Sequence, residues 1–158
     1  MNSFKSNNSL KCFPLMIKMI RVNVSISNVS AERFLDFRKP MPPVQINTNL
    51  NLTGMEKKPD DSLEVPFVLT INYNPSVAQI NLKGKAYVIG DKGEVDKIYK
   101  DYEDKKPPPP VVVQSVSNVA FIESVLISRT LAIPPPIPLP QIPETKPAEK
   151  PSGRDYSA

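Results

Sequence analysis

Residues 111–142 read VVVQSVSNVAFIESVLISRTLAIPPPIPLPQI, and only Glu123 and Arg129 in them are charged. The stretch follows four consecutive prolines, Pro107 to Pro110, and ends in a proline-rich apolar run, Ile133 to Ile142. A run this apolar must be buried, inside its own fold or against a partner. Its middle suits a helix. Asn118 to Leu131 holds no Gly and no Pro, and Ser117 or Asn118 can accept a hydrogen bond from an unpaired first-turn N–H as the N-cap. At about 100° per residue, Val119, Ile122, Leu126 and Arg129 share one face. Val116, Ala120 and Ile127 flank it, and Ser117, Ser124 and Ser128 form a narrow stripe of small side chains. Apolar residues cover most of the circumference, so the spacing predicts a helix wrapped on more than one side. It is either a monomer's core helix or one sandwiched between its own sheet and a second subunit. Val111 to Val113 is β-branched and follows prolines, which predicts extended backbone.

Four alternating segments precede this helix. Ile20, Val22, Val24 and Ile26 alternate with polar residues, as in a half-buried strand. Ala31 to Pro43 reads as a linker or short turn. Val44, Ile46, Leu50 and Leu52 give a second strand, and Gly54 to Ser62 a charged loop. Leu63, Val65, Phe67, Leu69, Ile71 and Tyr73 share one face of a third strand, where Pro66 implies an edge position or a bulge near its start. Asn74-Pro75-Ser76 is a turn signal, and Val77 to Ile89 is a fourth strand. Short connections join strands two to four, which predicts an antiparallel meander with one apolar face in need of a cover. Asp91 then caps a short helix with Glu94 in the capping-box position; Val95, Ile98, Tyr99 and Tyr102 recur at helical spacing. The expected class is α+β: a four-stranded antiparallel sheet covered by a short helix and a long one.

Within 158 residues, 40% of them apolar, one domain with a sizeable core is expected. Residues 1–18 read as an extension and 143–158 as a polar tail, leaving 19–142 as the domain. The apolar run at the N-terminus is interrupted by Lys18 and too short to cross a membrane, and no signal-peptide pattern is found in it. No membrane span is expected, and the location expected is cytoplasmic.

Composition narrows the function. There are 19 prolines against 5 glycines, no histidine and one cysteine, Cys12. Without histidine, Ser–His–Asp and Cys–His nucleophilic systems and the usual zinc sites cannot form. A lone cysteine permits no internal disulfide. Gly84, Gly90 and Gly93 match no phosphate-binding loop. No catalytic, cofactor or metal site is expected, and no DNA partner. An enzyme working through carboxylates, Tyr or Lys is the residual alternative, and no spacing singles out such a site. The net charge of +4 and pI near 9.1 are compatible with an acidic partner such as RNA.

The order of elements from Met19 to Ile142 resembles the SecB family of bacterial export chaperones. That family has a twisted four-stranded antiparallel sheet, then a loop and short helical segment, then a long helix packed across the sheet. Ser117 to Ile142, SNVAFIESVLISRTLAIPPPIPLPQI, carries most of the resemblance. It is similar to the family's long helix with its C-terminal serine–arginine pair, here Ser128-Arg129, and the apolar, proline-bearing segment after it. Bacterial members are acidic, end in a further helix and acidic tail, and dock on the export ATPase through acidic surface. This chain is basic and has a short mixed-charge tail, so the ATPase partnership is not implied. What the resemblance does imply is assembly as dimers or tetramers through sheet edges and the long helix, and a capacity to hold extended polypeptide in apolar grooves. The asparagine, isoleucine and lysine content suits a distant archaeal relative.

Two functions follow as expectations. One is a non-enzymatic holdase that buries the apolar side chains of unfolded or nascent polypeptide beside the long helix and bonds its backbone at a sheet edge. Its candidate residues are Phe37, Met41, Phe121, Ile133, Ile137 and Leu139, each of which could instead be ordinary core. The alternative is a ribosome- or RNP-associated structural protein contacting rRNA phosphates through Arg33, Arg38, Lys39, Lys57, Lys58, Lys105 and Lys106, with its proline-rich tails as anchors. For each of those cations the plain reading is solvated charge.

Overall fold

The computed structural model describes residues 19–137. The expected extension at 1–18 and tail at 143–158 lie outside the described residues. The chain is α+β: β1 (Arg21–Arg33), β2 (Gln45–Leu52), a two-residue β3 (Glu56–Lys57), β4 (Leu63–Asn74), β5 (Ala78–Ile89), α1 (Lys92–Glu103) and α2 (Pro110–Thr130). All pairings are antiparallel, and the sheet order is β1-β5-β4-β2, with β3 beside β4. The expected meander of the second to fourth long strands is present, and β1 closes onto its far side. β3 adds a short fifth strand inside the stretch read as a charged loop.

Alternation sets the two faces. Leu63, Val65, Phe67, Leu69, Ile71 and Tyr73 of β4 and Ile80, Leu82, Ala86 and Val88 of β5 are all buried on one side. Register places them opposite one another: Leu69 faces Leu82 and Ile71 faces Ile80. The other face carries Asn47, Asn72 and Gln79 in one cross-strand row and Asn49, Thr70 and Asn81 in the next, a polar surface suited to water. Helix α2 covers the apolar face, lying against β1 and β5.

Four local expectations are corrected. First, β1 runs on to Arg33, so Ala31–Arg33 is strand and not linker. A bulge between Ile26 and Asn28 leaves Ser27 unpaired with β5. It changes the parity of the strand: Val22, Val24 and Ile26 face the core before it, and Val29, Ala31 and Arg33 share that side after it. Simple alternation therefore stops at the bulge while the strand continues. Second, β4 is a central strand, with Pro66 near its start. β2 ends opposite Phe67 and β3 begins opposite Glu64, so Pro66 lies at a break in the ladder. Its carbonyl accepts from the Thr53 N–H at 2.9 Å. In an antiparallel ladder a residue's N–H and carbonyl point to the same side, so the N–H that proline lacks would also have met this break.

Third, α2 begins at Pro110, and Val111 to Val113 are helical. Pro109 is the N-cap, in place of Ser117 or Asn118, and its carbonyl accepts from the Val112 N–H at 3.0 Å. Proline at the first helical position gives up no intrahelical bond and is already at a helical φ, so the proline run starts the helix. Fourth, in α1, Asp91 occupies the N-cap position, but its side chain makes no capping bond; the Glu94 and Val95 N–H groups donate to its backbone carbonyl at 3.0 Å.

The far end of α2 is closed by a paired cap. The Ala132 N–H donates to the Arg129 carbonyl and the Ile133 N–H to the Ser128 carbonyl, at 3.1 and 3.0 Å. This is a Schellman closure with Ala132 in the left-handed region at φ 49°. Arg33, at the end of β1, donates to the Leu131 and Ala132 carbonyls at 3.1 and 2.5 Å. The chain then reverses. Ile133 enters the core, and the buried Tyr73 hydroxyl donates to the Pro134 carbonyl at 2.7 Å.

Candidate functional site

The face that α2 turns to the sheet is Val112, Val116, Ala120, Ser124 and Ser128, spaced four apart and all buried. It narrows from valine to alanine to serine. The two serine hydroxyls are satisfied within the helix, donating to the Phe121 and Val125 carbonyls at 2.8 Å. Small side chains here let the helix approach the sheet closely, the role expected of the serine stripe; Ser124 and Ser128 fill it, while Ser117, the third of that stripe, is half-buried and lines a groove beside the helix. The larger apolar residues are consequently directed elsewhere. Ile122 is 61% exposed and Leu126 52% exposed, one turn apart on the outer side.

Beside this strip lies a groove of about 440 Å³ lined by Gln114, Ser117, Asn118, Phe121, Ile122 and Ile137. One wall is α2. The other is Ile137, from the segment that reverses after the helix. Phe121 is half-buried, packed on the core on one side and lining the groove on the other. Gln114 and Asn118 bond to each other along the rim at 2.8 Å. The groove thus combines an apolar floor with amide donors and acceptors at its edge, the lining that holds an apolar side chain while leaving backbone groups near polar partners.

Of the expected polypeptide-binding residues, Phe121 and Ile137 meet in this groove. Ile133 is core, and Met41 is packed against the core. Phe37 is 69% exposed but is not among the groove's lining residues; the Arg33 guanidinium lies over its ring at 4.2 Å. Leu139 lies outside the described residues. Ile122 was read only as part of a helix face, and its exposure follows from which side of α2 meets the sheet. In a helix apolar nearly all round, periodicity does not select that side.

The expected RNA-contacting cations are for the most part engaged within the chain. Lys57 bonds Asp96 and pairs with Asp61 at 3.4 Å. Lys58 pairs with Glu56 and Glu64 at 3.4 and 3.3 Å, and Lys106 with Asp101 at 2.7 Å. Arg38 lies 3.7 Å from Asp36, and Arg33 is committed to the α2 cap. Lys39 and Lys105 have no ion pair among the described residues. Glu64 is the most enclosed carboxylate, with a side chain 9% exposed, and also pairs with Lys85 at 2.8 Å. The Lys85 ammonium, then Lys58, holds the Glu64 carboxyl below its ordinary value, against the desolvation that would raise it. Burial pushes the Tyr73 hydroxyl up to about 12, so it remains a donor to Pro134.

A second apolar cleft, also about 440 Å³, runs between α1 and Pro107–Pro110, with Ile20 and Ile98 at its base. Among the described residues no cluster of acidic or sulfur-bearing side chains has the form of a metal site. Helix α2 is long and apolar enough by length and composition to cross a membrane; in this fold it lies across the sheet.

No protein-family model matches the chain, and no curated protein matches it. Among solved structures it is similar to the SecB-like chaperone Rv1957 of Mycobacterium tuberculosis, in complex with a ChAD peptide from the Rv1956 HigA1 antitoxin. The identity is 11% and the TM-score 0.48, over 73% of this chain and 83% of that one. The likeness is distant, and the site described above rests on this chain's own geometry.

Proposed function

We propose that the protein is a non-enzymatic holdase that binds apolar segments of unfolded or nascent polypeptide in the cytoplasm, along the outer side of α2. The observation that carries this reading is the pairing of the exposed strip Ile122–Leu126 with the groove at Phe121 and Ile137. Contiguous exposed apolar surface rimmed by polar residues marks an interaction site. A client side chain entering the groove would leave water, worth about 1.5–3 kcal/mol for a large aliphatic or aromatic residue. No nucleotide is needed, because binding the unfolded state alone shifts a client's folding equilibrium. Assembly into a homo-oligomer would use the sheet edge at β2 and leave the groove to the client.

The test is light scattering of a reduced, aggregating client in the presence of the wild type and the double variant Ile122→Asp/Leu126→Asp. Both positions are solvent-exposed, so the variant should keep its Tm within a few degrees. Its affinity for the client should fall at least tenfold, and suppression of aggregation with it. Undiminished suppression by a folded double variant rules this reading out. Recovery of RNA in place of polypeptide, lost as salt rises, would favour the phosphate-binding alternative.

A further inference from the structure

The groove beside α2 has an occupant within reach on the same chain. The Ile133 N–H donates to the Ser128 carbonyl, and four residues later Ile137 lines the groove together with Phe121 and Ile122. The chain after the helix therefore runs back along it, antiparallel. The groove continues from Ile122 toward Gln114, eight residues up the helix, or about 12 Å at ~1.5 Å per residue. The chain continues from Ile137 as Pro138-Leu139-Pro140-Gln141-Ile142. Proline-rich backbone advances about 3.1 Å per residue, so four residues in that conformation would span the remaining length and bring Leu139 level with Asn118.

We infer that residues 138–142 occupy this groove as a resident pseudo-client. The segment has the chemistry that the groove accepts. Leu139 and Ile142 are apolar, Gln141 can bond the amide rim at Gln114 and Asn118, and the prolines limit the entropy lost on docking. It bears no charge, and charge begins only at Glu144, two residues beyond Ile142. A tethered segment acts at an effective concentration in the millimolar range, so even weak docking keeps the groove closed to a dilute competitor. A client then binds only the fraction of molecules with an open groove, and its apparent affinity falls by that fraction. The docking stands on the groove and the path of the chain. The competition additionally rests on the holdase reading.

The two parts are separable in one experiment on the full chain. In a Cys12→Ser background, the pair Asn118→Cys/Leu139→Cys is oxidised with oxidised glutathione beside the control pair Asn118→Cys/Ser157→Cys. Docking predicts that the first pair closes at least tenfold faster, at a rate independent of protein concentration. Equal rates, or disulfide-linked dimers, overturn it; dimers would show that a second copy's tail is the occupant. Reduced, carboxymethylated lactalbumin is then added as the unfolded probe. Slowing of the disulfide by bound probe supports a shared groove, and an unchanged rate with probe bound overturns the competition. The single variant Leu139→Asp should bind the probe roughly tenfold more tightly than wild type; equal or weaker binding also overturns it. If no variant binds the probe while the disulfide still closes, the holdase reading fails and the docked tail stands.

Discussion

Gly84 is a residue whose identity is set by its neighbours across both strands. It pairs with Ile26 on β1 and with Phe67 on β4. A Cβ there would come within 2.6 Å of the Phe67 ring and would also meet the Ser25 carbonyl. The Ser25 carbonyl is backbone beside the bulge and has little room to yield. Gly84→Ala should therefore destabilise the fold by about 1–3 kcal/mol, the usual cost of overpacking, read as a lower urea midpoint with an unchanged slope. An unchanged midpoint would mean that the bulge absorbs the methyl. None of this was visible in the sequence, where Gly84 appeared only as a glycine outside any phosphate loop. What makes it special is a pairing between residues 17 and 58 positions away, not anything adjacent to it. Pro66 was half legible for the related reason that its lost hydrogen bond was foreseen. The break between β2 and β3 that makes the loss harmless was not.

At the scale of elements, the strands were readable because each long strand has one wet face and one dry face. Helix α2 was readable as a helix from its freedom from Gly and Pro, but neither its start nor its orientation was. Three valines after four prolines favour extended backbone locally; tertiary burial of Val112 and Val116 overrides that preference, and Pro110 starts the helix. The other end is where a gain in stability is available. Ala132 adopts φ 49°, a conformation that costs a residue with a Cβ about 1–2 kcal/mol and glycine nearly nothing. Ala132→Gly should raise stability by about 1 kcal/mol, measured by chemical denaturation, since the two capping bonds and the Arg33 contacts involve only backbone at this position. A loss of stability would show that the methyl group itself packs against something that outweighs the strain.

On the scale of the whole molecule, ion pairs join, at the surface, parts that the hydrophobic core joins beneath. Lys57 and Lys92 converge on Asp61, and Lys58 and Lys85 on Glu64, linking the β3 loop to β5 and to the start of α1. Lys85 holds Glu64 below its ordinary value of 4.5, and Lys92 holds Asp61 below 3.8. As pH falls past those ordinary values the unfolded chain takes up protons that the native carboxylates still refuse, so stability falls. The contribution is complete above about pH 5 and is lost through the depressed native values. Glu64→Gln should lower Tm at pH 7 and flatten its decline between pH 5 and 3. Parallel declines in the two proteins would count against the pairing. The basic composition had suggested surface free for phosphate, because sequence lists charges without showing which carboxylates they meet. The fold class, by contrast, came through intact, since it depends on the order of dry faces along the chain.

The bulge at Ser27 also shapes how this sheet meets the outside world. Register on either side of it is unchanged if Ser27 is simply counted out: Ile26 stays opposite Gly84 and Asn28 opposite Lys83. Ser27 is thus a spare letter in the strand, with its hydroxyl resting on the Lys83 carbonyl at 3.2 Å. A chain without it could spell the same ladder on β5 with a straight outer margin. The extra residue bends that margin, and a bent margin is a poor template for another strand to copy. β2, at the opposite border, pairs along its whole length without a bulge and has no such guard, so the two borders of the sheet differ in how readily they admit a guest.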